Sequence, residues 1–433
     1  MIIKMLPSVA AVIICWGIWA VITLFRCKKN SVPVKLKIKE LWNNRFWIGS
    51  ERFMNIREIL ALIVIAVRFG YEILSNFYDA PFNYDGCVCI SLLVIYTFLI
   101  GRFTLKQYIL LGLTDILLFF DPAGYNVAVF CMLVAYDIGT KKIKKLFFAV
   151  LSFLYGLSFV LSASGVIGTG NMSTETTRLI SDGWLSARHS FGFCHPNTAG
   201  LFLVALIILF FAVRFSELKW YDWLAGVAAL GVVFFVIDSR ASSVFLFLFL
   251  VLLLIAKYLP QLYDFKPVKY VFPAVPVATV LLSVFAAYFY NSDNSLWYKI
   301  NTLSTDRVRL MFSAAKQIPL TLFGQLTNPS ISSEYYIDNF YINFLLYQGI
   351  IPCLILVSCY VFLLYRLCKL KAYPEVALVV SYMVYYLFEN RFFLTFTNFT
   401  FVLFLFVFSA GDKLFLSEKA ATDKKCKTLL LKN

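Results

Sequence analysis

Apolar runs long enough to cross a bilayer recur along almost the whole chain, separated by short polar or basic segments. Because a membrane-spanning helix needs about 20 mostly apolar residues, the runs predict about 12–13 helices. The predicted spans are 5–25, 57–77, 86–102, 106–121, 123–139, 146–166, 198–215, 221–238, 241–258, 270–290, 342–365, 374–389 and 392–411. Those near 106–139 are short and suit a tilted or partly re-entrant path. We therefore predict an all-α polytopic membrane protein.

The amino-acid composition excludes two other classes of protein, soluble domains and outer-membrane barrels. Hydrophobic residues make up 61% of the 433 residues, against about 45–50% in a soluble domain. An outer-membrane barrel is excluded, because its strands would alternate polar and apolar residues. Most of the ten cysteines lie within apolar runs, where a thiol behaves as a small hydrophobe. We predict neither a disulfide framework nor a metal site.

The formal net charge of +15 lies mainly in short basic loops, which are typical of the cytoplasmic side of a membrane. Tracing the predicted spans places every basic loop on that side, together with the basic tail 412–433. The loops are 26–46, 139–145, 257–270 and 365–371. A nucleic-acid partner is not expected, because there is no soluble basic domain to bind one.

Residues 1–53 stand apart from the rest. They hold one apolar span and a basic linker, and Met54 then opens the run "MNIREILALIVIAVRF". Without them the domain 54–411 has about 12 helices and both ends inside. We interpret 1–53 as an extension or a misassigned start. A signal peptide is less favoured, because the basic residues follow the apolar run.

Two polar segments are too long to be simple connections. They are 167–197 and 291–341, and the predicted topology places both outside the membrane. Loops longer than about 12–15 residues are usually functional or disordered, and the aromatic and amphipathic pieces in these two favour order. No internal repeat of the kind found in inverted-repeat transporters is visible.

Arginines on the outer side oppose the positive-inside bias and need an explanation. They are Arg178, Arg188, Arg240, Arg307, Arg309 and Arg391. Arg240 lies in a short turn with Asp238. It either binds a lipid-linked phosphate or pairs with Asp238 and reaches the headgroups.

The segment 304–319 predicts a short amphipathic helix on the outer face. Ser304 or Thr305 would cap it, with Asp306 in its first turn. Arg307 and Arg309 are two apart and therefore diverge, so one would face a site and the other solvent. The alternative is an interfacial helix whose basic residues contact lipid phosphates.

Both histidines of the chain fall in "SARHSFGFCHPNTAG". His195 and, less strongly, His189 are candidates to accept a proton near neutral pH. Pro196 predicts the start of a helix, with Asn197 a good cap. A capping role for His195 is the alternative. Phe191 and Phe193 either wall a substrate site or pack at the interface.

Acidic candidates lie in two places. The carboxylates of Asp79 and Asp85 are suited to act as a general base or as metal ligands. The favoured interpretation is that both residues belong to a simple turn. Asp338 either orients an arginine, binds an acceptor hydroxyl or caps a helix. It belongs to a polar and aromatic lip, residues Tyr335, Tyr336, Asp338, Asn339 and Tyr341.

No nucleotide-binding loop, kinase motif set or hydrolase elbow is present in the sequence. Chemistry at the outer loops would therefore act on a substrate that is already activated and carried on a lipid. No cofactor is expected.

The chain resembles Wzy-type polysaccharide polymerases, which belong with the O-antigen ligases. The resemblance covers most of 54–411 and rests on four stretches in order: "RHSFGFCHPNTAG", "DSRASSVFLFLFLVLL", "LSTDRVRLMFSAAKQIPLTLFG" and "DNFYINFLLYQGII". It implies a GT-C-like fold with two long outer-face loops. The implied activity joins oligosaccharide repeat units carried on undecaprenyl pyrophosphate at the outer face of the bacterial plasma membrane, without a metal.

The resemblance also implies roles for the candidate residues. Arg188, Arg240 and Arg307 would hold the pyrophosphate, and His195 would deprotonate or orient the acceptor hydroxyl. Arg309, His189, Asn197 and Asp338 would add substrate contacts. A chain-length regulator and a flippase are the expected partners, besides the lipid bilayer.

Two alternatives remain open. A ligase would transfer finished glycan to another acceptor. A flippase would move the same lipid-linked unit, and it should concentrate charges at the membrane midplane and show related halves.

Overall fold

The computed structural model describes residues 56–77, 96–101, 103–105, 107–109, 132–134, 140–167, 178–179, 185–186, 188–325, 337–392, 394 and 397–409, with 17, 21 and 39–40. This part of the chain is mostly helical, which confirms the predicted class at that level. By backbone contacts the chain divides into two compact units. The first unit is residues 1–202 with 393–408, and the second is 203–392 with 409–433.

Most of the helices coincide with the predicted apolar runs. In chain order they are α1 Arg57–Leu74, α2 Thr140–Ala163, α3 Pro196–Arg214, α4 Trp220–Gly231, α5 Arg240–Tyr258, α6 Pro260–Asp264, α7 Lys266–Phe289, α8 Ser295–Leu303, α9 Arg307–Gln317, α10 Phe340–Gln348, α11 Ile350–Lys369, α12 Tyr373–Tyr385 and α13 Thr400–Ser409. Short π-helical turns cover Tyr96–Ile100 and Val232–Val236, and a 3-10 turn covers Phe215–Glu217. Two short strands, β1 Arg178–Leu179 and β2 Leu185–Ser186, pair antiparallel.

Among the described residues, five helical segments are long and apolar enough to span a membrane. They are Lys142–Ala163, Pro196–Glu217, Arg240–Tyr258, Lys266–Phe289 and Ile350–Lys369. A shorter apolar segment covers Trp220–Val236. The chain is thus a helical membrane protein. The predicted spans at 5–25, 106–121 and 123–139 lie almost wholly outside the described residues.

In the first unit, α1 and α2 run side by side in the same direction. Helix α1 buries side chains at helical spacing, including Ala61, Ile65 and Phe69, which makes one apolar face. The ring centroids of Phe69 and of Phe147, on α2, are 3.6 Å apart. Near their first residues, Lys142 and Glu58 form an ion pair.

In the second unit, α5 and α12 pack antiparallel. The ring of Phe245, near the start of α5, lies 4.8 Å from that of Tyr385 at the end of α12. At the other end of this pair, Lys269 and Lys371 both bind Asp264, with N–O distances of 3.5 and 3.0 Å. The basic loops 257–270 and 365–371 therefore share one end of the unit, as the predicted topology requires. We call this the lysine-rich end.

One predicted span is wrong in detail. The run 342–365 is not a single helix, because the chain breaks at Gly349 between α10 and α11. Gly349 has φ 95°, and a Cβ there would lie 2.3 Å from the nitrogen of Gly324. The backbone of Gln325 donates a hydrogen bond to the Tyr347 carbonyl at 2.9 Å. The close approach of the two segments leaves no room for a Cβ, so the position requires glycine. The positive φ of Gly349 is not a helical value, so the helix ends there.

The predicted outer segments contain regular structure where they are described. The strands β1 and β2 lie in 167–197, pairing Arg178 with Ser186. Helices α8 and α9 lie in 291–341. The second segment begins after α7, at the end of the second unit opposite the lysine-rich end.

Candidate functional site

Two polar clusters, one in each unit, contain five of the described candidate residues. The first cluster, Arg188 with His195 and Asn197, precedes and opens α3. Its backbone is anchored by Phe193, which is fully buried and whose ring lies 5.4 Å from those of Phe77 and Tyr155. Phe193 is therefore a packing residue.

Further contacts fix the same segment against α1 and α2. The Cys194 backbone N–H donates to the Asn76 carbonyl at 2.9 Å. The Ser158 hydroxyl donates to the Phe191 carbonyl at 2.7 Å. Gly192 has φ 86°, and a Cβ there would lie 2.7 Å from the Ser158 carbonyl oxygen. The polar side chains thus project from an ordered backbone.

Arg188 is buried, with 7% of its surface exposed. Its Nη2 donates to the Asn197 side-chain oxygen at 2.6 Å. Asn197 lies inside the first turn of α3, so it is not the cap that the sequence suggested. Its amide instead holds the guanidinium at the start of the helix.

His195 occupies the capping position. Its carbonyl accepts from the Thr198 and Ala199 backbone N–H groups at 3.0 and 3.1 Å. Its Nδ1 accepts from the Asn197 backbone N–H at 3.1 Å. The residue is exposed at the surface. His189 is half-buried, and its ring stacks on Phe191 at 6.2 Å.

The second cluster is Arg307 with Asp338 and Glu389. Arg307 is the first residue of α9. Its Nε donates to Asp338 Oδ2 at 2.8 Å, and its Nη2 donates to Glu389 Oε1 at 3.0 Å. The exposed fractions of the three side chains are 16%, 15% and 5%. These groups lie at the end of the second unit opposite the lysine-rich end.

Electrostatics of the second cluster follow from burial and pairing. Burial lowers the pKa of Arg307, but the charges of Glu389 and Asp338 outweigh this and raise it. Burial raises the pKa of Glu389, and Arg307 offsets that only in part. Glu389 lies beyond the last residue of α12, outside the helices. One guanidinium faces two carboxylates, so the cluster by itself does not attract an anion.

Capping in this region differs from the prediction. Asp306, with φ 63°, precedes α9 at the N-cap position, rather than Ser304 or Thr305. Its carboxylate accepts from the Asn301 amide at 2.6 Å. Arg309 diverges from Arg307, is 59% exposed and lies 3.5 Å from Asp306.

Asp338 does not cap α10. The cap is the neighbouring Asn339, whose side-chain oxygen accepts from the Ile342 backbone N–H at 2.9 Å. The Asn339 amide nitrogen also donates to the Ser283 hydroxyl and the Leu387 carbonyl, each at 2.9 Å. Asp338 is thereby held beside Arg307.

Arg240 is the first residue of α5 and is exposed. Its guanidinium forms no ion pair with any described residue, Asp238 included. The alternative in which Asp238 neutralises Arg240 is therefore not what the structure contains. Because α5 and α12 are antiparallel, Arg240 lies at the same end of the second unit as Glu389.

Sequence reasoning missed Glu389. The signal available was "FENRF", an acid directly after an apolar run with Arg391 two residues later. Arg391 is half-buried, and its charge also acts on Glu389. Tyr385 is buried nearby, and its hydroxyl has no hydrogen-bond partner among the described residues. The candidates Asp79, Asp85, Tyr335 and Tyr336 lie outside the described residues.

No group of three or more His, Cys, Asp and Glu side chains suited to a metal occurs in the described part of the chain. Comparisons with protein families, with curated proteins and with solved structures give no match to this chain. The family therefore stays a prediction from the four sequence stretches.

Proposed function

We propose that this chain is a GT-C-like membrane glycosyltransferase of bacterial capsule, exopolysaccharide or O-antigen synthesis. It would polymerise oligosaccharide repeat units linked to undecaprenyl pyrophosphate, at the outer face of the plasma membrane. No cofactor is required, because the pyrophosphate is already a leaving group.

A contrast between two arginines supports the proposal most strongly. Arg240 and Arg307 are each the first residue of a helix, where the helix dipole disfavours a cation. Two carboxylates compensate Arg307. Arg240 is exposed and has no such compensation from the described residues. An anionic substrate group would supply it.

The chemistry assigns a role to each side chain. The acceptor hydroxyl oxygen forms a bond to the anomeric carbon of the donor sugar. The bond from that carbon to the pyrophosphate oxygen breaks, and the pyrophosphate leaves with the electron pair. Arg240 contacts the pyrophosphate, and stabilising its developing charge is the main catalytic effect.

Asp338 would accept the hydroxyl proton. Its carboxylate is partly exposed, at 15%, and one oxygen is fixed by Arg307 at 2.8 Å. A base positioned in this way contributes about 10²–10⁴-fold to the rate. Arg307 and Glu389 are then positioning residues, because Arg307 binds Asp338 and Glu389 binds Arg307.

The test uses cells that make lipid-linked repeat units and whose only polymerase is this chain. Asp338→Asn should insert into the membrane normally but leave single repeat units. Normal chain length in this variant would remove Asp338 from the mechanism. Finished glycan on a new acceptor would indicate a ligase, and repeat units retained on the inner leaflet after gene deletion would indicate a flippase.

A further inference from the structure

Helix α9 buries its apolar face inside the second unit. Val308, Met311 and Ala314 are buried in one cluster with Tyr290, which follows α7. The sequence leaves open an interfacial helix at 304–319, and such a helix needs an apolar face that is turned toward lipid. That face is not available on α9, but the preceding helix, α8, has one.

Helix α8 exposes an apolar strip. Leu296, Ile300 and Leu303 are all exposed, and their spacing of i, i+4 and i+7 places them on one face of the helix. We call these three residues the α8 strip. Tyr298 and Thr302 are also exposed, and they lie one turn apart on a different face. The helix therefore has two exposed faces of different polarity.

A third face of α8 contacts the protein and fixes the rotation of the helix. The side-chain nitrogen of Asn301 donates to Asp306 Oδ1 at 2.6 Å, and its oxygen accepts from the Arg309 backbone N–H at 2.9 Å. One turn earlier, Trp297 is half-buried, and its ring centroid lies 5.7 Å from that of Phe285 on α7. Because these contacts hold one face, the directions of the other two are set.

The contact with α7 places α8 at the membrane surface. Helix α7 is long and apolar enough to span a bilayer, and it ends at Phe289. Its exposed apolar side chains include Leu281, Leu282 and Phe285, as expected of a face that meets lipid. Trp297 packs on Phe285, so α8 adjoins the last turns of this face, opposite the lysine-rich end. Tryptophan is enriched at this level of a membrane.

We propose that the α8 strip inserts into the boundary between lipid headgroups and acyl chains, so that α8 is an interfacial anchor of the second unit. A helix lying in this plane turns an apolar face to lipid and a polar face to water. The strip meets lipid, Trp297 and Asn301 meet the protein, and Tyr298 and Thr302 meet water. The partner is the bilayer itself, whatever reaction the chain performs.

The anchor also sets the depth of the second cluster. Asn301 binds Asp306, the N-cap residue of α9, and Arg307 is the next residue. The hydrogen bond from Asn301 therefore connects the depth of α8 to the position of the guanidinium. With the α8 strip in the bilayer, the second cluster stays close to the membrane surface.

The first test compares cysteines on the two exposed faces of α8. Leu296 is 65% exposed and Tyr298 is 63% exposed. Without a bilayer, Leu296→Cys and Tyr298→Cys should therefore react with a water-soluble maleimide at similar rates. Leu303→Cys and Thr302→Cys form a second pair. The full chain is placed in nanodiscs of phosphatidylcholine and phosphatidylglycerol, one copy in each. The mass of the α8 peptide reports its labelling, so the native cysteines do not interfere.

We expect Leu296→Cys to label about tenfold more slowly than Tyr298→Cys, because apolar surroundings disfavour the reactive thiolate. Leu303→Cys should likewise label more slowly than Thr302→Cys. Thermal melting checks that each variant folds as the native chain does.

A second measurement uses the native chain and needs no variant. Phospholipids that carry a diazirine in the acyl chain, near the headgroup, are irradiated in the same nanodiscs. Lipid adducts should form on the α8 strip and not on Tyr298 or Thr302.

Three results would overturn the inference. Equal labelling within both pairs would show that the α8 strip faces water. Slow labelling without lipid adducts on α8 would show that protein covers the strip. Slow labelling only in nanodiscs that hold two copies would assign the strip to a contact between copies.

Discussion

Arg307 and Glu389, 82 residues apart in the sequence, are joined by a 3.0 Å hydrogen bond between Nη2 and Oε1. The same guanidinium binds Asp338 through Nε at 2.8 Å. One side chain thus ties the start of α9 to the segments that precede α10 and follow α12.

Replacing Arg307 should affect both folding and activity. Arg307→Ala leaves two carboxylates close together without the guanidinium that binds both of them. Removing one partner of a largely buried ion pair costs about 3 kcal/mol, so we expect a lower melting temperature and loss of polymer. Arg307→Lys keeps one charge but lacks the fork that reaches both acids, and it should recover stability more than activity.

The control for Arg307 is Lys299→Ala. Lys299 is exposed on α8 and is close to Arg307 in the sequence. Its substitution by alanine removes the same charge as Arg307→Ala. It should melt and polymerise as the native chain does. An Arg307→Ala chain with native melting and native polymer would contradict the arrangement of the second cluster.

Glu389 predicts a dependence of stability on pH. Burial raises its pKa above the ordinary 4.5, so the folded chain binds this proton more tightly than the unfolded chain. The stability that this tighter proton binding contributes is complete at pH values below the ordinary pKa. It is lost as the pH rises through the raised pKa of the folded chain. Glu389→Gln stays neutral, and its melting temperature relative to the native chain should therefore increase between pH 4 and pH 7.

The measurement is a pair of melting curves at each pH, in the same detergent. Glu217→Gln is the control, since that acid lies on an exposed turn. Its melting temperature should keep a constant offset from the native chain. A Glu389→Gln offset that falls as pH rises would show that the charged form is the favoured one.

Arg240→Ala should leave folding intact, because the side chain is exposed and forms no ion pair within the described residues. On the proposed mechanism, this substitution removes one group that stabilises the charge of the leaving pyrophosphate, and it should slow polymerisation by about 10²–10³-fold. Polymer length on a gel reports the loss.

Lys266→Ala is the matched control for Arg240→Ala. Lys266 is likewise an exposed first residue of a helix, α7, at the lysine-rich end of the same unit. It should retain native polymerisation. Equal losses in both variants would indicate a general effect of removing positive charge.

Gly349 and Gly231 should respond oppositely to alanine. At Gly349, φ 95° and the approach to Gly324 leave no room for a Cβ, and strain of this kind costs about 1–3 kcal/mol. At Gly231, the last residue of α4, a Cβ meets nothing within 4 Å. Alanine there should stabilise by about 0.5–1 kcal/mol. Melting temperatures that shift in the same direction would contradict the assignment.

Much of the helical layout is predictable from the sequence, because the hydropathy of a run determines where a span begins and ends. The run 241–258 becomes Arg240–Tyr258, and 270–290 becomes Lys266–Phe289. The break at Gly349 is not predictable in this way. A single glycine in an apolar run is compatible with a helix, and the break depends on Gly324, which lies in a separate segment.

The site is less predictable, because its contacts are tertiary. Arg307 and Asp338 are visible as candidates in polar segments. Glu389 is hidden at the end of a predicted span, and no local pattern pairs it with Arg307. The interaction of His195 with Asn197 is local, and the sequence indicates a helix start there, but the choice of which side chain caps the helix needs coordinates.

Cys194 is exposed and lies next to His195. Labelling of its thiol therefore shows which side of the membrane this segment faces. A maleimide that cannot cross membranes should label it in intact spheroplasts if this face is extracellular, and only in broken cells if it is cytoplasmic. The signal lost in Cys194→Ser would identify the label, so the orientation of the first cluster can be read without engineering a tag.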